Sequence, residues 1–169
     1  MNHVEQLEHH EIPARVRAIS LQLVARRWLM CTAESCTGGL IAAACTDLAG
    51  SSDWFERGIV SYSNAAKCEL LGVPADTIAA HGAVSSAVAE AMARGALSHS
   101  HAQVALAVTG VAGPSGGSVD KPVGTVWFGW ALPGAAWTAR QRFDGDRHAV
   151  RVQSVAHALH ELDRALRRA

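Results

Sequence analysis

Gln103–Val108 is almost wholly apolar and rich in Val and Ala, as expected of a strand covered on both of its faces. Trp28–Ala33 reads as a second short buried strand, and Gly58-Ile59-Val60-Ser61 is the strand-like part of Trp54–Ser61. Helical patterns alternate with them. Ile12, Val16, Ile19 and Leu23 recur at helical spacing around Pro13, a favourable first-turn residue, and predict an amphipathic helix from Pro13 to about Arg27. A second helix is expected from near Thr37 through Leu48, and a third from Asn64 through Leu71, stopping at Gly72 before Pro74. Asp76–His81 reads as a short helix or turn, and Ser85 can cap a helix carrying Val88, Met92 and Leu97. Val123–Leu132 and Ala136–Phe143 flank Pro133-Gly134 and predict an antiparallel hairpin. Val152, Val155, Leu159, Leu162 and Leu166 then place one apolar stripe on a closing helix from about Asp146 to Arg168. This alternation implies a three-layer α/β/α sandwich with a mixed, mostly parallel sheet of about five strands.

A length of 169 residues fits one domain. Residues 12–169 are expected to form it, behind a polar extension over residues 1–11. Lys plus Arg and Asp plus Glu are equal at 15 each, so no basic field gathers nucleic acid, and a small-molecule partner is expected instead. No apolar run approaches the roughly 20 residues of a membrane span. Cys31, Cys36, Cys45 and Cys68 include no C-x-x-C pair, and the polar start carries no signal sequence, so free thiols and a cytoplasmic location are expected. None of the nine histidines has a Cys or carboxylate at a recognisable ligand spacing. Neither a metal nor a cofactor is expected. Trp54 and Trp137 adjoin predicted loops or an edge strand, while Trp127 and Trp130 point to opposite faces of one strand. Exposed tryptophans mark contact surfaces that a symmetric homodimer would cover, and the alternative is that every Trp packs beneath the helices.

The segment Ala33-Glu34-Ser35-Cys36-Thr37-Gly38-Gly39 sets two hydroxyls and a thiol at a strand-to-helix junction. Such a junction offers free backbone N–H groups for an oxyanion or a phosphate, although a capped helix start would use the same residue types. A second loop, Thr109-Gly110-Val111-Ala112-Gly113-Pro114-Ser115-Gly116-Gly117, also lies beyond a buried strand. In open sheets ligands gather at strand carboxyl ends, so the two loops can face one cleft.

Tyr62 is the only tyrosine and Lys67 one of only two lysines, both at the next strand-to-helix junction. A guanidinium is a poor proton acceptor, whereas a lysine can lose its proton when burial depresses its pKa. Ser35, Lys67 and Tyr62 therefore supply a nucleophile, a base and a phenol that can relay or orient. Cys36 is the rival nucleophile, or else a buried small thiol. No histidine follows a strand end beside a suitable carboxylate, so a Ser-His-Asp arrangement is poorly supported.

These segments, with Gly58-Ile59-Val60-Ser61-Tyr62-Ser63-Asn64-Ala65-Ala66-Lys67 and Lys121-Pro122-Val123-Gly124, resemble the carboxy-terminal domain of the CinA competence/damage-inducible family. The resemblance runs from about Ile12 to Leu166, and Gly145-Asp146-Arg147 also fits it. It implies an amidase that converts nicotinamide mononucleotide to nicotinate mononucleotide and ammonia in bacterial pyridine-nucleotide recycling. Carried over by position, the nucleophile falls on Ser35, the lysine base on Lys67 and the assisting tyrosine on Tyr62. Amides near Cys36, Thr37, Gly38 and Gly39 would bind the oxyanion. The 5′-phosphate would lie either at Thr37-Gly38-Gly39 or in the loop of Thr109, Gly110 and Gly113. A non-catalytic nucleotide-binding module and an amidase for another small amide are the alternatives.

Overall fold

The computed structural model of the chain describes residues 1–169. Helices α1 (His3–Gln6) and α2 (Ile12–Arg26) are joined without a break by a π-helical turn over Leu7–Glu11. A proline inside a helix crowds the carbonyl four residues back, here that of His9, and the widened turn lies where Pro13 needs that room. Residues 3–11, expected only as a polar stretch, are therefore helical. Their one buried side chain, Leu7, belongs to the main apolar core.

Strands β1 (Met30–Glu34), β2 (Phe55–Val60), β3 (Val104–Gly110), β4 (Thr125–Leu132) and β5 (Ala135–Arg142) form one sheet in the order β2-β1-β3-β4-β5. β1 pairs in parallel with both β2 and β3, whereas β4 is antiparallel to β3 and to β5. Only β4 runs against the rest, so the carboxyl ends of the other four strands share one edge of the sheet. Helices α3 (Leu40–Thr46) and α7 (Arg147–Leu166) join α2 on one face. Helices α4 (Asn64–Leu71), α5 (Ala75–His81) and α6 (Ser86–Ser98) cover the other, which completes the expected three-layer sandwich.

Alternation along the strands divides the interior into two cores. Val104, Leu106 and Val108 of β3 join the α2–α7 core, and Ala105 and Ala107 join the α6 core. The two faces differ in side-chain size. Under α7, Phe128 stacks on Trp130 with 5.7 Å between ring centroids, and Trp130 stacks on Trp137 at 5.5 Å. Trp130 Nε1 donates to the Ala158 carbonyl at 3.1 Å, which satisfies its buried N–H. On the α6 face the sheet presents small residues, Ala33, Ala105, Ala107, Gly129 and Ala131, and α6 lies so close to β4 that a Cβ at Gly129 would meet the Ala89 carbonyl. Since burial of a large apolar side chain contributes about 1.5–3 kcal/mol, the α7 face carries most of the apolar stabilisation.

The tryptophan argument for self-association needs correction. Trp54 and Trp130 are buried, and Trp28, Trp127 and Trp137 are partly buried, so none is exposed. One core takes in Trp54 and Trp130 and packs against Trp28 and Trp137. No helix is long and apolar enough to cross a membrane.

Candidate active site

After β1 the chain turns through Ser35–Gly39 before α3 begins at Leu40, three residues later than the sequence suggests. Gly39 lies at φ +100°, a left-handed conformation that glycine adopts without steric penalty, and this breaks the path between turn and helix. The Ser35 amide donates to the Val108 carbonyl at 3.0 Å, which fixes the turn to β3. This is the point where the chain's next strand, β2, lies on one side of β1 and β3 on the other, the usual place for a ligand crevice.

Ser63 caps α4 by accepting the Ala66 amide at 3.0 Å, and α4 carries Lys67 into the interior, where it is 1% exposed. Lys67 Nζ lies 2.9 Å from Ser35 Oγ and 2.8 Å from the Ser61 carbonyl, with the Tyr62 carbonyl at 3.5 Å. It makes no ion pair. Burial pushes its pKa below the ordinary lysine value. A neutral amine has two N–H donors and one lone pair. With the carbonyls of Ser61 and Tyr62 taking the two donors, the lone pair is left for the Ser35 hydroxyl, which then donates.

Cys36 lies beside Ser35 but is a poor nucleophile. Burial, with a smaller contribution from the Glu34 charge, pushes its pKa up to about 12, so it stays a thiol near neutrality. Tyr62 is 61% exposed, and its phenol oxygen accepts a hydrogen bond from Arg147 Nη2 at 3.1 Å. Its hydroxyl makes no hydrogen bond with Ser35 or Lys67.

Backbone amides distinguish the two loops. Glu34, 1% exposed at the end of β1, accepts the amides of Gly39, Ile41 and Ala42 at 3.1, 3.0 and 2.8 Å. The Gly38 amide donates to Ser35 O and that of Leu40 to Thr37 O. In this turn only the amides of Cys36 and Thr37 make no hydrogen bond within the chain. Thr37, Gly38 and Gly39 do not line the cleft, and the Thr37 hydroxyl is buried without a partner. The expected helix-start ligand site is thus largely occupied by the chain's own carboxylate.

By contrast, the amides of Ala112, Gly113, Ser115 and Gly116 are unbonded and line the same cleft. Gly113 sits at φ +84°, and a Cβ there would lie 2.5 Å from Val123 Cγ1. A side chain at this position would strain the loop. Thr109 lines the cleft too, but its hydroxyl donates to the Ala83 carbonyl at 2.8 Å and so anchors the segment before α6.

The cleft, of about 310 Å³, brings together Ser35, Cys36, Tyr62, Lys67, Thr109, Gly110 and Gly113. A larger groove of about 470 Å³, between α2, α3 and α7, contains none of these residues. Sequence reasoning assigned no role to Arg147, which also lines the cleft. Its guanidinium donates to Tyr62 Oη and, at 2.8 Å, to the Gly113 carbonyl, but it pairs with no carboxylate. Its sequence signal was its place in Gly145-Asp146-Arg147, a segment that fits the family resemblance without pointing to a role. Glu34 was likewise missed, although a charged residue closing an otherwise uncharged strand was a readable sign.

A serine held against an unpaired buried lysine, beside free amides at a strand end, is an arrangement with the groups that acyl transfer through a serine requires. The model for the CinA C-terminal domain matches residues 14–166, and the chain belongs to this family. It is 55% identical over 151 residues to the nicotinamide-nucleotide amidohydrolase PncC of Enterobacter agglomerans, covering 89% of this chain and 90% of that protein. It is also 55% identical to the protein of the same name from Escherichia coli K12 over 141 residues, covering 83% of this chain and 86% of that one. The crystal structure of the competence/damage inducible protein CihA from Agrobacterium tumefaciens superposes with a TM-score of 0.89 at 45% identity, covering 93% of this chain and 96% of that one.

Proposed function

We propose that this chain is an amidohydrolase that converts nicotinamide mononucleotide to nicotinate mononucleotide and ammonia. The observation that carries the reading is the 2.9 Å contact between Lys67 Nζ and Ser35 Oγ, with Lys67 buried and unpaired. The 55% identity to amidohydrolases named for nicotinamide nucleotides supports the choice of substrate.

In the first step neutral Lys67 takes the Ser35 proton as Oγ attacks the carboxamide carbon, and the Cys36 amide, the unbonded amide of this turn that lines the cleft, receives the oxyanion. Lys67 then protonates the departing nitrogen, and ammonia leaves an ester on Ser35. Neutral again, Lys67 takes a proton from water as the water attacks the ester. It returns that proton to Ser35 Oγ as nicotinate mononucleotide is released.

The 5′-phosphate is taken by the unbonded amides of Ala112, Gly113, Ser115 and Gly116 together with Arg147, the cleft's one guanidinium. Tyr62 assists by walling the cleft and holding Arg147 through its phenol oxygen. The homodimer lacks the exposed tryptophans on which it was argued, and light scattering across a dilution series decides it.

Ammonia release from nicotinamide mononucleotide, nicotinamide riboside, nicotinamide and unrelated small amides tests the reading. The mononucleotide is expected to be the best substrate. Ammonia from no amide would favour a binding module, and ammonia only from an unrelated amide would change the substrate class.

A further inference from the structure

Glu34 is a buried carboxylate with no cationic partner, set one residue before the nucleophile. A helix begins with four amides that have no acceptor inside it, and a residue at the N-cap normally satisfies one through its side chain. In α3 the N-cap is Gly39, which has no side chain to offer. Glu34 reaches across the turn instead. Its Oε2 accepts the Gly39 and Ile41 amides, and its Oε1 accepts the Ala42 amide and, at 3.4 Å, the Thr32 hydroxyl. The fourth amide, that of Leu40, is satisfied by Thr37 O.

The same residue also reaches the base through its backbone. The Glu34 carbonyl accepts the Ser61 amide at 2.8 Å, and the Ser61 carbonyl accepts from Lys67 Nζ, which contacts Ser35 Oγ. The chain from Glu34 through Ser61 and Lys67 back to Ser35 is closed. Both ends of the Ser35–Gly39 turn are therefore tied to Glu34, and the only amides left over are those of Cys36 and Thr37.

We propose that Glu34 is a positioning residue for acyl transfer: by satisfying the start of α3 across the turn, its carboxylate holds the turn so that the Cys36 amide, which lines the cleft, stays free for the oxyanion. This rests on the amidohydrolase reading and adds a residue to it. A carboxylate that sets oxyanion donors acts on the transition state more than on substrate binding, so its loss falls on kcat rather than KM. Glu34→Gln keeps the length but replaces one acceptor oxygen with a donor, which then faces an amide N–H. Glu34→Asp keeps the charge but shortens the reach by one methylene. Neither reproduces the three amide bonds.

The test measures ammonia release from nicotinamide mononucleotide by the parent, Glu34→Gln and Glu34→Asp. Thermal melts accompany it, and Kd for the same nucleotide is measured with each change placed in a Ser35→Ala background. The expected result is a fall in kcat of at least thirtyfold in both variants, with KM and Kd within about threefold of the corresponding parent. Glu34→Gln with kcat within threefold of parent would overturn the proposal, as would an equal-fold loss in Kd and kcat. A parent that releases no ammonia would count against the amidohydrolase reading itself, leaving the amide pattern to be judged separately. Hydrogen exchange on the unmodified protein judges it even if both variants fail to fold. The amides of Gly39, Ile41 and Ala42 should exchange far more slowly than those of Cys36 and Thr37, and equal rates would overturn the proposal.

Discussion

Lys67 Nζ lies 2.9 Å from Ser35 Oγ, and the other polar atoms within its hydrogen-bond reach are backbone carbonyls. A lysine held by a carboxylate would keep its proton. One held by carbonyls and stripped of water is free to act as a base.

Ser35→Ala removes the attacking oxygen and little volume. It should abolish ammonia release while leaving the nucleotide Kd within a few-fold of parent by calorimetry. Cys36→Ser should retain most activity, because the thiol at this site, with its pKa near 12, is not the reacting group. An active Ser35→Ala together with a dead Cys36→Ser would reverse the assignment.

Lys67→Arg conserves charge but supplies no proton acceptor at accessible pH. Its kcat should fall nearly as far as that of Lys67→Ala, and near-normal turnover at saturating substrate would remove the base role. In the parent, kcat/KM should rise with pH as Lys67 loses its proton and level off below the ordinary lysine range. The stability effect has the same sign. The folded chain binds fewer protons at Lys67 than the unfolded chain, so stability rises with pH between the lowered folded pKa and about 10.4. Lys67→Met should flatten that part of a denaturant-midpoint profile.

Arg147→Ala should raise KM for nicotinamide mononucleotide by roughly ten- to a hundredfold, in line with the loss of about 1.5–3 kcal/mol from a charged hydrogen bond. The penalty for nicotinamide riboside, which lacks the phosphate, should be much smaller. Equal penalties for both substrates would place Arg147 elsewhere in the mechanism.

Trp130→Ala should cost about 3–5 kcal/mol. The indole is stacked between Phe128 and Trp137 and bonded to α7, so its removal leaves a cavity and takes away a hydrogen bond between sheet and helix. Chemical denaturation measures it. A cost below about 1 kcal/mol would show that the core under α7 collapses onto the site.

Much of the fold was legible because its signals are local. The run Val104–Val108 alternates between two cores yet contains no polar residue, so its burial could be read directly. Asn64 and Leu71 bound α4 as expected, since Ser63 caps it and Gly72 ends it. Ser35 and Lys67 were visible as residue types at strand ends, and the parallel strands bring those ends together. The contacts of Glu34 and Arg147 were not visible, because each is made with partners distant in the chain or with backbone groups that carry no residue code. Arg147 meets Tyr62 across 85 positions. The burial of Leu7 was hidden for a different reason: one apolar side chain among polar neighbours forms no periodic stripe.

The most direct measurement is rapid acid quench of the parent mixed with excess nicotinamide mononucleotide, followed by peptide mass spectrometry. The account predicts a transient adduct equal to the substrate minus ammonia on the peptide containing Ser35, located on Ser35 by fragmentation and absent from Ser35→Ala. An adduct on Cys36, or full turnover by Ser35→Ala, would contradict it.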